Sequence, residues 1–448
     1  MLITSRIHGC KPEADVGGEA LSGINLNLRP PAESLEIFPK HVATDASDRR
    51  HWLADIQRRV LAGMQMEGYF KSLVACMAAP IPACVQGKSD EVYETGSPGV
   101  VQLHDYGKGD GEGSQGSRYG FAWLKRCSSA LLCFTCAPKI RYKRAEEVRR
   151  ACRWAIDRGM GVMMITFTAP HYGDTDPRRQ MEAFNAAKRR FKSGRWWQAQ
   201  KEAIGYAHSI RALEVTLTHP RHGLWNGSHI HDHGLYFCNH AAFTAAEASR
   251  LRAAWIARWK ACLAAEGIEI RNPLAFERHA LKISLPRARG KVVDTEALSA
   301  MADYVADKLA VEISPAIFTK KGMAGGREHI NHFEYFALAL TRYPQARPYM
   351  LRLMVALKGR SWMQWTRGLK AAAGIEEKSD EEVLQEACGE FVRDYDTKTE
   401  WAPINRRKLQ RRYIRAMLDD GGEAVDAADR MLAIILGGFD PLTGELLE

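Results

Sequence analysis

The sequence predicts an α+β fold in which helices cover one face of an antiparallel sheet. Strand-like segments with a period of two are interleaved with 3.6-period helical segments between 161 and 340, and neighbouring strand segments are joined by a short, turn-rich link. A Cys-rich stretch precedes this block and a mainly helical region follows it, dividing the chain at 1–100, 101–160, 161–340 and 341–448.

A chain of 448 residues holds two or three domains with full cores, so no disulfide or metal is needed merely to keep it folded. Apolar residues make up 46% and charged residues 26%, and no uncharged apolar run reaches the roughly 18 residues of a membrane span. The N-terminus lacks the basic start and apolar stretch of a secretory signal. We therefore expect a soluble, cytoplasmic protein with no membrane partner. The net charge of +10 favours a polyanionic partner, because phosphates neutralised by Lys or Arg release counterions. Ten scattered cysteines do not make the dense framework of a disulfide-stapled domain.

Residues 1–100 carry Pro and Gly clusters around one helix near HWLADIQRRVLAGMQ, and their fold is not legible. The Gly-rich stretch 107–120 reads as a linker. The helix KIRYKRAEEVRRACRWAIDRG ends at Gly159, and GVMMITFTA (161–169) reads as a strand with Met163, Ile165 and Phe167 on one face and Thr166 and Thr168 on the other. One long helical segment, PRRQMEAFNAAKRRFKSGRWWQAQKEA, follows. Strands AHSIRALEVTLTH and SHIHDHGLYFCN are linked by PRHGLWNG; then come a helix over about 244–265, a strand at FERHALKIS and a helix over about 295–309. Beyond 340 the pattern is mainly helical, with the basic run NRRKLQRRYIR at 405–415.

The chemistry concentrates on two strands and one helix. His229, His231 and His233 alternate, so their side chains share one strand face, while Asp232 and Gly234 take the other. Paired imidazoles suit a metal ion, and a hard ion wants a carboxylate beside them. Glu214 fits, because Leu213, Val215 and Leu217 form the apolar face of its strand and leave Glu214 on the face a hairpin would bring to the histidines. The bland alternative is a polar, partly exposed edge. On the helix after Asp294, Tyr304 and Lys308 sit together at the flank of the apolar stripe Leu298, Met301, Ala302, Val305 and Leu309. That pair suits a phenol nucleophile with a nearby ammonium, or ordinary half-buried packing. Arg195, Trp196 and Trp197 offer either a phosphate and stacking surface or core positions.

Cys127, Cys133 and Cys136 form C-x5-C-x2-C, whose second half is a common zinc-knuckle element. They are candidate ligands for a structural Zn²⁺, with His104 and Cys152 as candidates for a fourth, or else buried free thiols.

GVMMITFTAPHYGD, RALEVT with GLWNGSHIHDHGLYF, and MADYVADKLAVEI with FTKKG together resemble the plasmid rolling-circle replication initiator family of the HUH endonuclease superfamily, over about residues 125–335. The resemblance implies a five-stranded antiparallel sheet with helices on one face. It implies His231 and His233 as paired ligands of Mg²⁺ or Mn²⁺, Glu214 as the third ligand and Tyr304 as the nucleophile that nicks DNA. The implied partners are origin DNA, single-stranded or extruded as a hairpin, and the host replication helicase and polymerase. The segment around Cys127, Cys133 and Cys136 resembles the one that precedes the nuclease domain in this family.

The sequence departs from the family pattern in three places. Asp232 stands where a bulky apolar residue is usual, Gly234 is unusual, and the family Lys falls at Asp307, with Lys308 one residue later. No second Tyr shares the face of Tyr304, which predicts a single-tyrosine enzyme, with Glu312 a candidate for the termination step. A conjugative relaxase or a single-Tyr transposase would use the same residues. A DNA-binding regulator with an inactive nuclease site is the alternative that Asp232 raises.

Overall fold

The computed structural model describes residues 46–77, 101–105, 119–122, 124, 126–173, 175–220, 227–239, 244–284, 329–385, 390–406, 409–420, 423–441 and 443–446. Tyr304, Lys308, Asp307 and Glu312, with the rest of the expected helix over about 295–309, lie outside the described residues.

The fold is α+β, built on an antiparallel sheet. Strands β3 (Gly161–Thr168), β4 (Tyr206–Thr218), β5 (Ser228–Cys238), β6 (Leu281–Ser284) and β7 (His329–Asn331) run in the order β6-β3-β5-β4-β7, and the short β8 (Met363–Trp365) also pairs with β4. A second sheet joins β1 (Val101–Asp105), β2 (Tyr119–Ala122) and β9 (Glu390–Tyr395) in the order β2-β1-β9. The C-terminal region is mainly helical, as its sequence suggests, yet it also supplies β8 to the first sheet and β9 to the second.

Among the described residues up to 357 the helices are α1 (Ala46–Gly63), α2 (Lys71–Ala75), α3 (Cys136–Asp157), α4 (Pro177–Phe191), α5 (Gly194–Ala203), α6 (Ala245–Ala265), α7 (Pro273–His279), α8 (His332–Thr341) and α9 (Arg347–Leu357), the last of them in the C-terminal region. Their ends follow local signals. Asp176 caps α4 ahead of Pro177, and Thr244 and Glu247 form a reciprocal capping box on α6. Gly159 takes a left-handed φ of +69° just past α3, as the sequence suggested.

Two expected elements change. The single long helix over 177–203 is broken between α4 and α5, where Ser193 is the N-cap of α5 and Gly194 has a φ of +75°. The segment FERHALKIS is only partly a strand: Phe276–His279 belongs to α7, because Asn272 caps that helix and Pro273 occupies its first turn, so β6 begins at Leu281.

The sheet has two chemically different faces. One carries Phe167, Leu213, Val215, Ile230 and Tyr236, and α4, α5, α6 and α9 bury it. Trp259 of α6 packs on Phe167 at 5.1 Å between ring centres, Trp197 of α5 on Tyr236 at 6.2 Å, and Tyr349 of α9 donates to Ser228 Oγ at 3.1 Å. The opposite face carries the histidines and is covered at one end by α3, whose Trp154 packs edge-on against His208 at 6.0 Å. Among the described residues no helix is long and apolar enough to cross a membrane.

Candidate active site

β5 lies between β3 and β4, and the register sets the site. His231 pairs with Thr168 of β3 and Glu214 of β4, His233 with Thr166 and Ala212, and His229 with Thr216. Side chains opposite one another in adjacent strands point the same way, so Thr166, Thr168, Glu214 and the three imidazoles share one face.

Hydrogen bonds then orient the rings. His233 Nδ1 is 3.0 Å from Thr166 Oγ1, and His231 Nδ1 is 3.0 Å from Thr168 Oγ1. His233 Nε2 meets Glu214 Oε2 at 2.9 Å. The His231 and His233 rings are near-parallel, 22° apart in plane and 5.8 Å between centres. His229 lies 4.0 Å from the His231 ring and 4.4 Å from His171, with His329 at 6.4 Å.

Burial disfavours the protonated form of two of these rings, His231 and His229. Burial, despite the attraction of Glu214, lowers the pKa of His231 to about 4. Burial and the neighbouring His231 lower that of His229 to about 2. Burial works against ionisation of Glu214, but the His233 hydrogen bond and the nearby imidazoles bring its pKa below the usual carboxylate value. Neutral imidazoles beside an ionised carboxylate are the donor set a hard divalent cation uses, so these residues fit the expected metal.

Behind Glu214 stand two buried groups. Arg141 of α3, whose pKa burial lowers to about 9 against the pull of Glu214, lies over Phe333 and Trp362. His332 of α8, lowered to about 3 by burial and then by Arg141, is 3.1 Å from the Leu131 carbonyl oxygen.

Asp232 faces away from the imidazoles. It is 1% exposed and forms an ion pair with Lys188 of α4, with Arg211 Nη1 at 3.9 Å. The carboxylate that looked out of place in the sequence thus has its partner on the opposite face. Burial opposes its ionisation, but Lys188, Arg211 and Lys192 together hold its pKa below the usual carboxylate range, while burial lowers Lys188 to about 8. Gly234 also has a steric reason: a Cβ there would lie 2.9 Å from Cε1 of Tyr236. The Tyr236 ring occupies the space of the missing side chain.

The structure brings His229, His231, His233 and Glu214 together, and adds Thr166, Thr168, His171 and His329, none of which the sequence marked as functional. The strand alternation had placed the two threonines on one face; only the register aims that face at the rings. Of the two readings open for Trp196 and Trp197, the structure shows packing, with Trp197 buried and Trp196 half-buried. Trp197 is 7% exposed, and both rings pack on Phe191, at 5.1 Å and 5.9 Å. Their neighbour Arg195 is exposed.

Cys127, Cys133 and Cys136 converge, and the thiol that joins them is that of Cys76. This corrects the expectation of Cys152 as the fourth ligand, while the side chain of His104 lies outside the described residues. Cys152 lies about 24 Å further along α3 than Cys136 at 1.5 Å per residue, and His104 is a residue of β1.

Over 139 residues the chain is 33% identical to "Protein rep" of Streptomyces lividans, a match that takes in 25% of this chain and 29% of that one. The chain thus spans under a third of that relative. No protein-family profile matches the chain, and no solved structure does.

Proposed function

We infer that this protein initiates rolling-circle replication as a metal-dependent, site-specific single-strand DNA endonuclease that nicks and rejoins its origin. The observation that carries this reading is the paired imidazole face of β5, with each Nδ1 tied to a threonine and Glu214 across the strand. The partial likeness to a protein named for replication supports the replication role over the relaxase and transposase alternatives.

His231, His233 and Glu214 would hold Mg²⁺ or Mn²⁺ through the nitrogens and oxygens that face one another. When bound, such an ion supplies charge neutralisation at the scissile phosphate. Thr166 and Thr168 fix the ring planes so that each Nε2 is the ligating nitrogen. The Tyr304 hydroxyl attacks phosphorus in line; a P–O bond to tyrosine forms and the bond to the 3′ oxygen breaks. The phenol proton leaves to solvent and the departing oxygen gains one. The products are a 5′-phosphotyrosyl link and a free 3′-hydroxyl for the host polymerase to extend, beside the host helicase, and the reverse attack rejoins strands. Lys308, four residues after Tyr304 in the sequence, would stabilise the phenolate.

A cationic cleft of about 660 Å³ on the sheet face opposite the imidazoles is lined by Arg189, Lys192, Arg211 and Arg360, and it supports contact with the DNA backbone.

The test uses labelled single-stranded oligonucleotides tiling the DNA that flanks the protein's own coding sequence, with Mn²⁺. A covalent protein–DNA adduct that disappears in Tyr304→Phe and in His231→Ala is the expected result. Tight binding with no adduct from any oligonucleotide would replace this reading with that of a DNA-binding regulator.

A further inference from the structure

We propose that Cys76, Cys127, Cys133 and Cys136 form a tetrathiolate zinc site that fastens the N-terminal helix pair to the loop bracing the carboxylate side of the candidate active site. The four Sγ atoms all lie within 4.8 Å of one another. Cys76 is 3.7 Å from Cys133 and 3.3 Å from Cys136, and Cys127 is 3.8 Å from Cys136. A tetrahedron with Zn–S arms of about 2.3 Å spaces its sulfurs about 3.8 Å apart. A disulfide would bring a pair to about 2.05 Å, and all four thiols are free. A multi-iron cluster would hold its cysteines farther apart than these distances allow.

Core packing of thiols gives no reason for four of them to converge from three separate stretches of chain. The backbone supplies a second, independent sign. Among the described residues only Gln65, Met77 and Ser128 are non-glycine residues with positive φ, and two of these, Met77 at 59° and Ser128 at 49°, directly follow Cys76 and Cys127. Left-handed backbone is costly for side-chain-bearing residues and collects at ligand clamps. The sulfurs also have donors that offset thiolate charge: the Cys136 N–H points to Cys133 Sγ at 3.4 Å, and Thr135 Oγ1 lies 3.0 Å from the same sulfur.

The loop between Cys127 and Cys136 links this cluster to the candidate active site through its carbonyls. Gln57 of α1 donates to the Leu132 oxygen at 3.1 Å, and Arg141 donates to the Ala130 oxygen at 2.9 Å. The Leu131 oxygen is held by His332. Arg141 and His332 are the two buried groups behind Glu214, so the loop has the zinc ligands on one side and the supports of the carboxylate on the other. Cys76, at the C-cap of α2, makes the N-terminal helices part of that assembly.

The full-length chain, purified without chelator, is analysed for metal by mass spectrometry and by zinc-edge X-ray absorption. One zinc per chain with four sulfur neighbours at about 2.3 Å is expected. Cys76→Ser should lose most of the zinc or show three sulfurs, while Cys152→Ser keeps the full site. Stripping the zinc should speed amide exchange in 46–77. Absence of zinc even after refolding with Zn²⁺, iron in its place, or a nitrogen or oxygen neighbour in the wild-type protein overturns the proposal. Should Cys76→Ser prove insoluble, the wild-type sulfur count decides alone. These readouts do not depend on DNA cleavage, so failure to find a phosphotyrosyl adduct leaves them intact.

Discussion

Glu214 Oε2 and His233 Nε2 face each other at 2.9 Å across β4 and β5, so the nitrogen that would ligate a metal carries a proton toward the carboxylate in the absence of one. Metal binding then requires the other tautomer, with the proton on Nδ1. The Thr166 hydroxyl, 3.0 Å from Nδ1, can accept as readily as it donates and so permits that exchange. Thr166→Val removes the acceptor. We expect Thr166→Val and Thr168→Val each to weaken Mn²⁺ binding about 10–100-fold while circular dichroism stays unchanged; binding followed by paramagnetic resonance measures it.

Asp232 and Lys188 form a buried ion pair in which neither charge has bulk water to fall back on. Asp232→Ala strands the ammonium and should cost about 3–5 kcal/mol in denaturant unfolding. The double replacement Lys188→Met with Asp232→Leu should restore most of that loss. A single variant that unfolds at the wild-type midpoint would show that the ion pair contributes nothing to stability.

Burial of His332 makes the fold acid-sensitive. Its folded pKa of about 3 lies below the unfolded value of 6.5, so the native state binds fewer protons and stability rises with pH. The contribution is complete above pH 6.5 and is lost as pH falls toward 3, with about 2 kcal/mol gone between pH 7 and pH 5. His332→Phe gives up the bond to the Leu131 oxygen and should be less stable at pH 7, but its unfolding midpoint should vary less from pH 7 to pH 5.

Arg189 and Arg360 line the cationic cleft without belonging to the imidazole face. Replacing both with Gln should weaken binding of all single-stranded DNA sequences alike and reduce the slope of log affinity against log salt by about 1–2. Fluorescence anisotropy across a salt series tests this. A loss confined to one sequence would argue for base reading instead.

Local pattern carried much of the site. The alternation in SHIHDHGLYF separated the imidazoles from Asp232, and the apolar face of RALEVTLT put Glu214 on the histidine side before any register was known. What the sequence hid depends on distance along the chain. Lys188 precedes its partner Asp232 by 44 residues, and Cys76 precedes Cys133 by 57, so no spacing rule links either pair. Trp196 and Trp197 stayed open between two readings for a related reason: an aromatic beside an arginine looks the same whether it faces DNA or Phe191. The helix at Pro273–His279 was readable from Asn272 and Pro273, a start signal masked by the strand-like residues after it.

Alternation along β5 also makes its alignment hard to mistake. Sliding the strand by one position against its neighbours would press His231 and His233 into the aromatic layer beneath α4 and α6 and swing Asp232 out beside Thr166 and Thr168, leaving the α4 ammonium buried without a counter-ion. A mispaired hairpin is therefore penalised on both surfaces at once. The acidic residue that interrupts the histidine row serves the row by telling the strand where to stop.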